Sequence, residues 1–223
     1  YCTVEYAGSG STSPGNASAI YFPYGSGGAP FINQCTVRNN LDWGISGHLP
    51  DNSTTKITNN TLTSNTQSAI YVREQASSTI HILNNTVTGD GFDGIVGIQV
   101  DSSSVAYISG NTISSTNSHG IGVSGSTSVD ARSYVYVTNN TIDGNGGSGI
   151  HADIFGADVS ITGNLITDSG LSGLSLMARN GDIYGGPTPN RSVVYTVRNN
   201  VIKDNGSGVI IETDDECMQD GDA

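Results

Sequence analysis

The sequence predicts an all-β chain, folded as a single-stranded parallel β-helix (a solenoid) of about eight coils with an internal asparagine ladder. Three observations carry the prediction. A phrase built on Asn-Asn or Gly-Asn recurs along the 223 residues, apolar and polar residues alternate with period two around each copy, and all six prolines fall between copies.

The copies read RNNLDWGISG (38–47), NNTLTSNTQSAIYV (59–72), NNTVTGDGFDGI (84–95), GNTISSTNSHGIGV (110–123), NNTIDGNGGSGIHA (139–152), GNLITDSGLSGLSL (163–176) and NNVIKDNGSGVII (199–211), after a degenerate copy at the start. Aligned on the second residue of the pair, Asn40, Asn60, Asn85, Asn111, Asn140, Asn164 and Asn200 form the expected ladder. Their spacings run from 20 to 36 residues, too irregular for a helical solenoid of fixed unit length. Coils stacked about 4.8 Å apart let each side-chain amide donate to the next. The first residue of the pair is Asn or Gly in each copy, the residues that best tolerate positive φ, so the chain is expected to bend there in a left-handed conformation.

Before the pair, segments such as CTV, KIT, HIL and YVYVT read as one strand per coil, with Val37, Ile57, Ile82, Ile108, Val137, Ile161 and Val197 facing the core. After it, Leu41, Leu62, Val87, Ile113, Ile142, Ile166 and Ile202 are expected to face inward again, and a Gly-Ile pattern opens a further strand. From the ladder residue to that Gly or Ala is nine residues in five copies but only four at Trp43-Gly44. Most length variation falls after the Gly-Ile strand, the side on which repeat proteins carry their insertions.

Repeated Asn-Asn-Thr-Ile followed by Gly-Ile-x-Val resembles the right-handed parallel β-helix repeat of the pectin-lyase-like superfamily, which includes carbohydrate-binding and sugar-hydrolase repeat proteins. The resemblance covers essentially the whole chain. With the general crossover preference it gives the right hand. It implies fold and leaves function open, because the superfamily includes lyases, hydrolases, epimerases, adhesins and viral spikes.

A formal charge of −12 argues against nucleic acid and repels anionic polysaccharide unless a cation or local arginines offset the field. No apolar run is long enough for a membrane-spanning helix, so no membrane insertion is expected. Residues 1–223 read as one domain with an acidic tail at 212–223. Neither end supplies a cap, which points to a longer chain or to end-to-end self-association. The tail offers carboxylates to Ca²⁺ (Asp214, Asp215, Asp220, Asp222) without a calcium-loop spacing. It is read as a solvated end, and no metal site or cofactor is expected, Ca²⁺ being the one candidate. Three of the seven Asn-x-Ser/Thr sequons (Asn59, Asn84, Asn139) arise from the repeat itself. Cys2 and Cys35 fall in adjacent coils within disulfide range. The reading taken is two buried thiols, with a disulfide as the alternative.

Chemistry, if present, belongs on the outward positions of the Gly-Ile strand. With Ile70 and Val72 inward, successive outward pairs are Tyr21/Pro23, Ser46/His48, Tyr71/Arg73, Gln99/Asp101, Gly122/Ser124, His151/Asp153, Ser175/Met177 and Ile210/Glu212. The middle of this column is expected to be the one place where aromatic, basic, acidic and imidazole groups gather. Tyr71, Arg73, Gln99, Arg179 and Tyr184 are the candidate substrate-binding residues, with Asp130, Arg132 and Arg191 as groove walls. His151, Asp153 and Asp101 are the candidate catalytic residues, His151 as general base. Asp101 and Asp153 are expected about 9–10 Å apart, near the upper end of an inverting-glycosidase separation. Partial motifs do not strengthen the enzyme reading. Ser-His-Gly at 118–120 is similar to the polygalacturonase Gly-His-Gly, but Ser118 replaces the first glycine. Gly-Phe-Asp-Gly at 91–94 lacks the Pro-His of mannuronan epimerases. Three functions are therefore carried: an extracellular or surface-displayed scaffold that recognises a polysaccharide or cell-surface glycan, a polysaccharide lyase or hydrolase acting on this face, and a structural filament or stalk.

Overall fold

The computed structural model describes residues 2–7, 18–23, 28–73, 77–92, 94–100, 104–125, 133–154, 157–179 and 193–214. It is all-β, with three parallel sheets running the length of the stack. Sheet A holds Cys2–Glu5, Cys35–Arg38, Thr61–Thr63, Thr86–Thr88, Thr112–Ser114, Thr141–Asp143, Leu165–Thr167 and Val201–Lys203. Sheet B holds Ile20–Phe22, Ile45–His48, Ile70–Arg73, Ile95–Val100, Ile121–Gly125, Ile150–Ile154, Ser172–Arg179 and Ser207–Asp214. Sheet C holds Phe31–Asn33, Thr54–Thr58, Thr79–Leu83, Val105–Ser109, Ser133–Thr138, Ala157–Thr162 and Val194–Arg198. The chain visits C, A and B in turn, and each strand pairs with its counterpart one coil away. The described residues include no helix long and apolar enough to cross a membrane.

Alternation places one apolar column from each sheet in the interior. Val37, Leu62, Val87, Ile113, Ile142 and Ile166 come from sheet A, Ile45, Ile70, Ile95, Ile121 and Ile150 from sheet B, and Ile57, Ile82, Ile108, Val137 and Ile161 from sheet C, all fully buried. Each such side chain contributes about 1.5–3 kcal/mol of burial. Val197 departs from expectation at 39% exposed, because among the described residues its strand has a sheet neighbour on one side only.

Two left-handed bends, and not one, shape each coil. At the bend from sheet C to sheet A, φ lies between 55° and 69° at Gln34, Asn59, Asn84, Gly110, Asn139, Gly163 and Asn199. At the bend from A to B it is positive again at Asn39, Ser64, Gly89, Ser115, Gly144, Asp168 and Asp204. The residue after each bend turns inward. At the first bend, the Nδ2 groups of Asn60, Asn85, Asn111, Asn140 and Asn164 each donate to Oδ1 of the next rung at 2.9–3.0 Å, ending on Asn200. Their second Nδ2 protons go to the carbonyls of Ile32, Ile57, Ile82, Ile108 and Val137. Each Oδ1 from Asn85 to Asn200 also accepts the backbone N–H of the preceding rung. Every donor and acceptor of these interior amides is thereby used, as burial demands.

The first copy belongs elsewhere in this scheme. Val37 pairs in register with Leu62, and Asn40 donates to Asn65 at 2.8 Å rather than to Asn60. Asn40 is thus a rung of a second inner column, at the A-to-B bend, comprising Asn40, Asn65, Asp90, Thr116, Asn145, Ser169 and Asn205. The rung below Asn60 is occupied by Cys35, whose N–H donates to Asn60 Oδ1. Leu41, expected inward, follows the second bend and is 56% exposed. The four-residue gap to Trp43-Gly44 was the mark of this shift, because only the second bend lies so close to the sheet B strand.

Cys2 and Cys35 are register partners with Cα atoms 4.6 Å apart and form a disulfide. This corrects the thiol reading: Cys2 is exposed and Cys35 half-buried, so neither sits in an apolar interior that would favour an unreacted thiol.

Replacing Asn85 with alanine removes an acceptor for the Asn60 amide and a donor to Asn111. With buried unsatisfied groups costing about 1–3 kcal/mol each, urea denaturation is expected to show a loss of about 3 kcal/mol. Asn139→Gly, at an exposed left-handed position that two other coils fill with glycine, is expected to change stability by less than about 0.5 kcal/mol.

Candidate functional site

The outward face of sheet B carries the candidate residues, and its register differs from the expected one in a single strand. The Ile95–Val100 strand shifts register between Ile95 and Ile98. Val96 therefore takes the rung beside Tyr71, and Gln99 lies between Arg73 and Ser124. Gln99 and Tyr71 were expected in one column; the irregularity, which the sequence Ile-Val-Gly-Ile-Gln-Val hides, brings the Gln99 backbone into register with Arg73 instead. Among the residues whose side chains are described, the two outward columns are Tyr21, Ser46, Tyr71, Gly122, His151, Ser175, Ile210, and, beside them, His48, Arg73, Ser124, Asp153, Met177, Glu212.

Two ring pairs recur on this face at the same offset. Trp43, two residues before the inward Ile45, packs on Tyr71 of the next coil with centroids 5.7 Å apart and a 35° tilt. His119, two residues before the inward Ile121, stacks on His151 of the next coil at 4.6 Å and 13°. Gly122 lies opposite His151 in the register and has no side chain, so the His151 ring packs against His119 instead. His119 Nδ1 accepts the Ser148 backbone N–H at 3.0 Å, so it is the unprotonated nitrogen. His151 Nδ1 lies 3.1 Å from Ser175 Oγ. Neither Trp43 nor His119 was picked out as a site residue. Both belong to the corner that precedes the strand, and the outward count began one residue after the inward isoleucine.

Arg73 and His48 are register partners. The His48 pKa is held below the ordinary histidine value, first by burial and second by the Arg73 charge. At the other end of the face, Tyr195 reaches sheet B from inside and donates to the Met177 carbonyl at 2.7 Å. Burial, and then the charge of Asp153, push its pKa upward, so it acts as a neutral donor that pins the strand bearing Met177.

The expected constellation is brought together only in part. Tyr71 and Arg73 share one strand and His151 and Asp153 another, with the two strands three coils apart, about 14 Å. Arg179 closes the Ser172–Arg179 strand opposite Asp214. Asp101, Asp130, Arg132, Tyr184 and Arg191 lie outside the described residues, and with Asp101 the expected carboxylate separation does too. No cluster of three metal-ligating side chains occurs among the described residues. Nor is the sheet B column the one gathering of rings: on sheet C, His81, Tyr107 and Tyr136 stack at 4.9 and 5.1 Å beside Lys56. Burial and the Lys56 charge lower the His81 pKa. These sheet C rings cover one another's faces, whereas the tilted Trp43–Tyr71 pair does not overlap fully.

Compared with known families, residues 9–96 and 92–218 match the family described as the right handed beta helix region. Among curated proteins and among solved structures, nothing matches the chain.

Removing the Arg73 charge by Arg73→Met is expected to raise the His48 pKa toward the ordinary value without restoring it fully, because burial is the larger cause. A histidine titration followed by NMR checks this.

Proposed function

The chain belongs to the right-handed β-helix family, and from that premise we propose that it is an extracellular or surface-displayed recognition module whose sheet B face binds glycan. The observation that carries the reading is the pair of ring sets at one offset, Trp43–Tyr71 and His119–His151, interleaved with Arg73 and Asp153. A sugar presents an apolar CH face and a rim of hydroxyls, and aromatic surface flanked by hydrogen-bonding groups suits both. Two ring pairs three coils apart on one face favour an extended chain of sugars lying along the stack. The net charge of −12 favours neutral glycans over anionic ones. The Cys2–Cys35 disulfide supports an oxidising compartment such as the cell exterior.

One observation favours a second reading, polysaccharide cleavage on the same face. His151 meets Ser175 through Nδ1, and Asp153 follows at the next outward position, so one strand presents an imidazole and a carboxylate, both residue types that serve in general acid–base chemistry.

A glycan array read together with a reducing-end assay separates the two. Binding without turnover, weakened about tenfold or more by Tyr71→Ala or Trp43→Ala, is the expected result. Release of reducing ends that disappears in the His151→Ala/Asp153→Ala double variant would transfer the assignment to the enzyme. Binding unaffected by the Tyr71 and Trp43 substitutions would remove the sheet B site.

A further inference from the structure

The second inner column contains one acid. Asp90 is 1% exposed, and its Oδ1 accepts both the backbone N–H (2.8 Å) and the Nδ2 (2.7 Å) of Asn65. Its Oδ2 is buried without a hydrogen-bond partner. Three of the four asparagines of the column show what that position does, while the Nδ2 of the fourth, Asn145, is buried without a partner. Nδ2 of Asn40, Asn65 and Asn205 points at the carbonyls of Val4, Val37 and Ile166, the central residues of the sheet A strand one coil back. Leu62 holds the same register as Val37, so at Asp90 the outer carboxyl oxygen takes a donor's place toward the Leu62 carbonyl. The rung above gives no help, since Thr116 Oγ1 donates onward to Asn145 at 2.8 Å. An acceptor set where every amide rung has a donor is satisfied only when it carries a proton.

We propose that Asp90 is a pH-sensitive catch in this column. Neutral, it donates from Oδ2 and completes the rung as an asparagine does; ionised, it breaks the rung and loosens the corner that feeds the Ile95–Val100 strand of sheet B. The proton comes from and returns to solvent, and no other group changes state. The side chains facing Asp90 in its column, Asn65 and Thr116, are uncharged. Asp42 and His119, the other described titratable groups of these corners, are engaged elsewhere, with the N–H groups of Trp43 and Ser148. Asp93 lies outside the described residues. Burial, opposed by the two Asn65 hydrogen bonds, raises the Asp90 pKa to about 6 from 3.8.

The sign follows from linkage. A carboxyl whose folded pKa is raised contributes stability that is fully present below its unfolded pKa and lost as pH rises through the folded one. The window is therefore from about pH 4 to about pH 6, across which the folding equilibrium constant falls about a hundredfold on account of Asp90 alone. Acidification within this window stabilises the fold, opposite to the usual effect of paired surface carboxylates. The catch does not depend on what the sheet B face binds.

The test uses the full chain and its Asp90→Asn variant. Urea denaturation of both at pH 4.5 and pH 7.5 is compared as a difference, which cancels other titrating groups, and the Asp90 carboxyl is titrated directly by ¹³C NMR. The expected results are a carboxyl midpoint near 6 and a variant that gains more over the parent at pH 7.5 than at pH 4.5. A midpoint at or below 4, or a difference between the two proteins that is the same at both pH values, would overturn the proposal. If Asp90→Asn does not fold, the NMR midpoint of the parent decides alone.

Discussion

The side-chain amide ladder at the C-to-A bend is the constraint on which the rest of this structure depends. A parallel coil must reverse its backbone repeatedly in a small radius, and each reversal points polar groups inward where water cannot follow. Asparagine solves both parts of the problem. At the first position of the pair it accepts the left-handed conformation. At the second it supplies two donors and two acceptors that mesh with the coil above, the coil below and the backbone carbonyl behind it. Isoleucine and valine columns fill the remaining interior, but they are indifferent to register by themselves. The amides fix which residue lies over which, and so decide what the outward faces present.

This explains how the candidate site is built and why its residues are irregular. Most interior positions are committed to stacking, so chemical variety concentrates at outward positions, at the A-to-B bend and in the connections from sheet B to sheet C. On sheet B, the offset shared by Trp43–Tyr71 and His119–His151 is set by the bend geometry, which brings the residue before one strand against the outward residue of the next. A column of like rings, as with His81, Tyr107 and Tyr136, buries its faces against itself. The tilted Trp43–Tyr71 pair, with Gly122 on the rung before His151, leaves surface for something else.

Much of the fold was legible because two periodicities, the two-residue alternation and the recurring Asn pair, point to the same architecture. The direction of the strands, the inward columns and the placement of variable segments after the Gly-Ile strand all follow from them. The misreading of Asn40 has a specific cause. Asn39-Asn40 and Asn59-Asn60 are identical dipeptides at two different bends, and the second bend is otherwise written Ser-Asn, Gly-Asp, Ser-Thr, Gly-Asn, Asp-Ser or Asp-Asn, too varied to be seen as a repeat. The site was less legible. A local register shift moved Gln99 away from Tyr71, and Trp43 and His119 reach the face from a corner that a simple in-out count passes over. The disulfide depended on exposure, which sequence spacing does not report.

The most direct test of the central claim is the exchange of the ladder's own side-chain amide protons. If Asn85, Asn111 and Asn140 are closed rungs in a dry interior, their Nδ2 protons should exchange with deuterium only through unfolding, at rates matching the slowest backbone amides of sheets A and C. Exchange at the rate of exposed asparagines such as Asn59 and Asn139, in a protein that is otherwise folded, would contradict the ladder and with it the register assigned to every outward face.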